Sequence, residues 1–218
     1  MESEFNDTLK EYAKMMSSTE ELHPELQPYF EENGAMGFPM LRHPLVYQVP
    51  FWSNGMANEQ FRIKSNQVDE ALRNGEFEKV VWLHERPYRV EAFIKIQNLL
   101  DDNTYWKLLG QIWTDTENGW ANLKQWRELF GSKREKRMWL MDWDEQLAYE
   151  SLADTVTVYR GCQPGLNEDG ISWTLKRDKA EWFATRFSKE GIVLEKQISK
   201  RDIIAVFTGR NEFEAVIL

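Results

Sequence analysis

Three observations predict an α+β fold, with a helical N-terminal region packed on a small C-terminal split β-sheet. Apolar residues recur at helical spacing through much of the chain before residue 153. From Thr155 the pattern changes to short alternating runs rich in Val, Ile, Thr and Phe, separated by Gly and Asn. The chain has 218 residues, 42 % hydrophobic and 29 % charged, which is enough to bury a real core without staples. The expected regions are 1–153 and 154–218. They are expected to form one compact unit, because the sheet segment is small for independent folding.

Taken in order, residues 4–16 have helical spacing, with Phe5, Leu9, Tyr12 and Met16 on one face. Pro24 and Pro28 then limit the chain to short turns, since proline donates no backbone hydrogen bond. Residues 34–50 hold Pro39, Pro44 and Pro50 and read as an extended connector with a strand at Leu45–Val49. Asn66 is a candidate cap for a helix to Asn74, closed by Gly75 in the left-handed position. Further helices are expected at Phe77–His84, at Tyr88–Leu100 with Pro87 in the first turn, at Thr104–Thr114 after Asp102 or Asn103, and at Trp120–Phe130 after an Asn118-Gly119 turn. Ser132-Lys-Arg-Glu135 has the form of a capping box. It predicts a long helix to Leu152 whose Trp139, Trp143 and Leu147 stripe faces a core. Most of the ten tryptophans are expected inside, because a large ring is costly to leave in water.

The C-terminal part is expected to carry a strand ending at Arg160, a second through Ser172-Trp173-Thr174, and a helix over Asp178–Phe187. Ala180, Phe183, Ala184 and Phe187 would turn inward on that helix. Strands follow at Ile192–Ile198 and Ile203–Phe207, then a turn at Arg210-Asn211 and a final strand.

Several function classes are excluded or disfavoured. The net charge of −9 argues against a protein built to hold a nucleic-acid backbone. Residues 1–41 hold nine acids, from Glu2 to Glu32, against Lys10 and Lys14; this reads as a solvated acidic surface or a docking face for a basic partner. Cys162 is the single cysteine, so no internal disulfide forms, and a reducing compartment fits. No apolar run reaches the length of a membrane helix, and Met1-Glu-Ser-Glu-Phe is unlike a secretory signal, so a cytoplasmic protein is expected. His23, His43 and His84 are dispersed, and no zinc spacing or phosphate-binding glycine loop occurs. Cys162 reads as an inert thiol.

What remains is a set of polar residues on the C-terminal strands. Alternation puts Ser172 and Thr174 on one face with Trp173 turned inward, and Glu212 and Glu214 on one face with Phe213 away. Arg160 closes the first strand beside Tyr159, which is expected in the core, and Gly161, which permits close approach of backbone or ligand. A guanidinium suits phosphate oxygens, a hydroxyl can hold a carboxylate, and paired carboxylates suit cation stabilisation and proton removal.

Tyr159-Arg160-Gly161, Ser172-Trp173-Thr174 and Glu212-Phe213-Glu214, in that order, resemble the Arg–Ser–Glu class of NAD-dependent mono-ADP-ribosyltransferases. The likeness covers Thr155 to Leu218. It departs from the family at Trp173, where a small residue is usual, and in its short length. The resemblance implies an ADP-ribosyltransferase-like sheet and NAD as substrate, with no metal. It makes Glu214 the carboxylate that stabilises the ribosyl cation. Glu212 orients or deprotonates an acceptor, arginine first. Arg160 and Gly161 meet the NAD phosphates, and Ser172 and Thr174 support Glu214. The partner is then a protein target; the polar N-terminus and the compact motif set point to an intracellular bacterial or phage effector, acting in the host-cell cytoplasm if viral. The helical region would present that target or complete the nicotinamide pocket with Trp82, Tyr88 or Trp106. Two alternatives stand beside this: an NAD glycohydrolase, and a non-catalytic tryptophan-rich interaction protein carrying a relic motif set.

Overall fold

A computed structural model describes residues 2–117, 119–186 and 190–218, without the side chains of residues 2–8 and Arg210. Asn118 of the expected turn, the inward Phe187 and the Phe5 side chain lie outside what is described. The fold is α+β with antiparallel sheets, and the chain divides into two compact units, Met1–Ile96 and Gln97–Leu218. Residues 97–153 fall in the same compact unit as the C-terminal sheet.

In the first unit, helix α1 spans Glu2–Met16, with Leu9, Tyr12 and Met16 about half exposed. Strands β1 (Phe30–Glu31), β2 (Met40–His43) and β3 (Val46–Gln48) follow as an antiparallel sheet. Only β3 was legible; the other two are short and sit among Pro and Gly. Helix α2 runs from Asn54 to Asn74, a whole segment earlier than Asn66 suggested. Its cap is Ser53, whose hydroxyl accepts the Met56 N–H at 3.1 Å, and Gly75 ends it at φ 72°. Helices α3 (Phe77–Leu83) and α4 (Arg89–Ile96) complete the unit, with Pro87 in the turn before α4. Leu22, Leu26, Leu41, Val46, Ala57 and Phe61 form its core.

In the second unit, α5 (Asp102–Asp115) is capped by Asp101, one residue before the expected cap. Helix α6 (Leu123–Phe130) packs Trp126 and Phe130 against Trp113 of α5, at ring distances of 5.0 and 5.2 Å. The capping box expected at Ser132 does not form. Lys136 takes a left-handed conformation, and a 3-10 turn at Arg137–Leu140 follows. The box lies ten residues on, at Asp142 and Glu145, and opens α7 (Trp143–Glu150). The buried Glu145 also accepts the Thr208 N–H at 3.1 Å. With the long helix broken, Trp139, Trp143 and Leu147 are at least half exposed rather than in a core. Trp106, Trp113, Trp126 and Trp173 are buried, while the other six tryptophans keep 38 % or more of their surface in solvent.

The main sheet contains β4 (Thr155–Cys162), β5 (Ser172–Thr174), β6 (Ile192–Ser199), β7 (Ile203–Phe207) and β8 (Glu214–Ile217). Its order is β6-β4-β5-β8-β7, every pair antiparallel. Helix α8 (Arg177–Thr185) lies along β4, with Ala180 and Ala184 buried and Phe183 only half-buried. Gly161 makes this contact possible: a Cβ there would overlap the Ala180 carbonyl and the Ala184 N–H.

Candidate functional site

Strand register places Tyr159, Thr174 and Glu214 in one row across β4, β5 and β8. Ser172 lies two positions along β5, a diagonal neighbour of Glu214. Its hydroxyl donates a hydrogen bond to Glu214 Oε1. The Trp113 indole N–H donates to Glu214 Oε2 at 3.1 Å. Donors from two different elements therefore hold the two oxygens of one half-buried carboxylate.

Arg160 reaches the same strand from another direction. By alternation it leaves β4 on the face opposite Tyr159. Its Nε and Nη2 donate to the Asn167 carbonyl at 3.1 and 2.8 Å, and Nη1 donates to the Ser172 carbonyl. Ser172 is thus the meeting point of the set, with its carbonyl toward Arg160 and its hydroxyl toward Glu214. Burial pushes the Arg160 guanidinium below its usual value, while the charges of Cys162, Asp169 and Glu214 act in the opposite sense. Gly170 leaves room for this group, since a Cβ there would overlap the guanidinium.

Glu212 does not share a strand face with Glu214. Strand β8 starts at Glu214; Glu212 closes a 3-10 turn at φ −88°, ψ −24°, and Phe213 between them is left-handed at φ 47°. That left-handed residue breaks the extended geometry on which alternation depends. Glu212 instead lines a cleft of about 240 Å³ with Lys179, Trp182 and Phe183. Lys176 lies 3.5 Å over the Phe213 ring and donates to Asn211 at 3.1 Å, bracing the turn.

The remaining expected site residues are structural in their contacts. Thr174, 5 % exposed, donates to the Glu212 carbonyl at 2.6 Å, so it supports the turn and not the Glu214 carboxylate. Gly161 meets helix backbone. Trp173 is buried, as alternation predicts, and donates to the Gly170 carbonyl at 3.0 Å. Tyr159 is only half-buried. The aromatic residue at Glu214 is none of those expected. Trp106 is fully buried and donates to the Glu135 carbonyl at 2.6 Å. Tyr88 donates to the Arg42 carbonyl, and Trp82 lies under Arg89, both within the first unit. Nothing local in the sequence marks Trp113, which stands 101 residues from Glu214. Cys162 is buried, which pushes its thiol up and away from reactivity.

A larger cleft of about 700 Å³ lies in the first unit, lined by Lys14, Met15, Asn58 and Phe61 among others, and holds no expected site residue. Among the described residues no cluster of three His, Cys, Asp or Glu is placed to hold a metal, and no helix is long and apolar enough to cross a membrane. Compared with protein-family models, curated proteins and solved structures, the chain finds no match.

Proposed function

We propose that the chain is an NAD-dependent mono-ADP-ribosyltransferase with an ADP-ribosyltransferase-like sheet, acting on a protein acceptor, arginine first. The observation that supports this reading is the Ser172 junction. One serine binds the Glu214 carboxylate through its hydroxyl and the Arg160 guanidinium through its carbonyl.

The reaction breaks the bond between C1′ of the nicotinamide ribose and the pyridinium nitrogen, and nicotinamide leaves with the electron pair. Positive charge develops on the ribose, as in glycoside hydrolysis. Glu214, already oriented by two donors, stabilises that charge without reorganising. An acceptor guanidinium nitrogen then attacks C1′ and gives up its proton to Glu212. Three of the five Arg160 N–H groups hold backbone carbonyls. The other two are the donors that would meet a phosphate oxygen.

Labelled NAD incubated with a bacterial lysate tests the reading. Label enters a protein band with the wild-type chain and falls about a hundredfold or more with Glu214→Ala. Equal labelling by the two proteins would end it.

The position of Glu212 favours a second reading, NAD hydrolysis with water as acceptor, because the proton-accepting carboxylate does not stand beside Glu214 on β8. Glu212→Ala separates the two. Under the transferase reading it abolishes protein labelling and spares nicotinamide release. A wild-type protein that releases nicotinamide but labels nothing, with Glu212→Ala indistinguishable from it, supports hydrolysis.

A further inference from the structure

We infer that Trp113 is a positioning residue for Glu214, so that helix α5 forms part of the reaction centre. The inference rests on the reading of Glu214 as the carboxylate that stabilises the ribosyl cation.

The indole has little freedom. It is 8 % exposed, and Trp126 and Phe130, each 1 % exposed, meet it edge to face at interplanar angles of 80° and 84°. An aromatic clamp of this kind fixes the ring plane and therefore the direction of its single N–H. That N–H points at Glu214 Oε2. Ser172 donates to Oε1 and Trp113 to Oε2, so the two donors act together on the plane of the carboxylate. A buried donor to an ionised acceptor is worth more than a neutral pair, and its loss acts on the geometry of the one group that meets the developing charge. The indole N–H meets Glu214, so its effect passes through that carboxylate.

A double-mutant cycle on nicotinamide release tests this, using the full chain and NAD. Trp113→Phe keeps an aromatic ring and removes the N–H. The expected result is a fall in kcat of about tenfold with KM for NAD unchanged. In a Glu214→Gln background, Trp113→Phe has no further effect, because the partner whose position it controls is already lost. Effects that multiply independently, or no loss in the wild-type background, overturn the inference. Should Trp113→Phe fold poorly, benzothienylalanine placed at position 113 keeps the ring shape without the N–H, and the same two outcomes apply.

A second readout needs no turnover. The Trp113 indole proton resonance moves upfield in Glu214→Gln as its charged acceptor is lost; a resonance that stays in place defeats the inference. Absence of nicotinamide release by the wild-type chain, or release undiminished in Glu214→Gln, instead defeats the reading of Glu214 on which it rests.

Discussion

At the scale of single residues, Arg160 shows how the backbone fixes a charged group. Its guanidinium is desolvated, and three of its N–H groups donate to carbonyls of the loop and strand that follow. Gly170 is the residue that admits it. Gly170→Ala puts a methyl group where the guanidinium lies, so the arginine has to leave at least one carbonyl. The expected cost is about 1–3 kcal/mol of stability, read from urea unfolding, with a raised KM for NAD. An unchanged unfolding midpoint would show that the loop yields freely. The motif residues themselves were legible, because Arg, Ser and Glu on strand-like runs are visible in one dimension. Their second partners were not. Gly170 and Trp113 act through space, and no local pattern announces a contact made across 101 positions.

Among the elements, alternation and capping chemistry succeeded where the chain is regular. Strands β4, β6 and β7, helix α3 and the Gly75 stop fall close to where the sequence places them. The failures have specific causes. Ser132-x-x-Glu135 and Asp142-x-x-Glu145 both have the form of a capping box, and the sequence alone does not rank them. The structure uses the second, whose glutamate also caps the end of β7 through Thr208. Asp142→Ala is therefore expected to destabilise the second unit by about 1 kcal/mol, and Ser132→Ala to change it by less than about 0.5 kcal/mol. Chemical denaturation of the two variants side by side checks this, and the reverse order would place the helix start wrongly. The exposed Trp139 and Trp143 follow from the same choice, since the helix that would have turned them inward is interrupted at Lys136.

For the whole molecule, the two compact units differ in what they expose to pH. His43 is buried in the first unit, edge-on to Phe61 at 5.2 Å and to Tyr29 at 4.7 Å, and its Nδ1 accepts the Leu45 N–H at 3.1 Å. Burial lowers its pKa from 6.5 to about 4, with His84, His23 and Lys95 adding repulsion. The neutral ring is the one the fold accommodates. Stability from this group is complete above pH 6.5, declines as the unfolded chain takes up the proton first, and is lost by about pH 4. The full loss is on the order of 3 kcal/mol. The urea midpoint of the protein is expected to fall across this window, and His43→Gln to flatten the fall; a midpoint that holds steady from pH 6.5 to 4 contradicts it.

The left-handed peptide at Phe213 has a consequence for how such a protein could diversify. Under the proposed function, the acid that takes the recipient's proton and the acid that steadies the sugar cation are two positions apart in sequence, yet one sits on a turn and the other on a strand. Substitutions confined to residues 211–213 would redirect the modification to a different side chain while leaving the cleavage machinery on β8 intact.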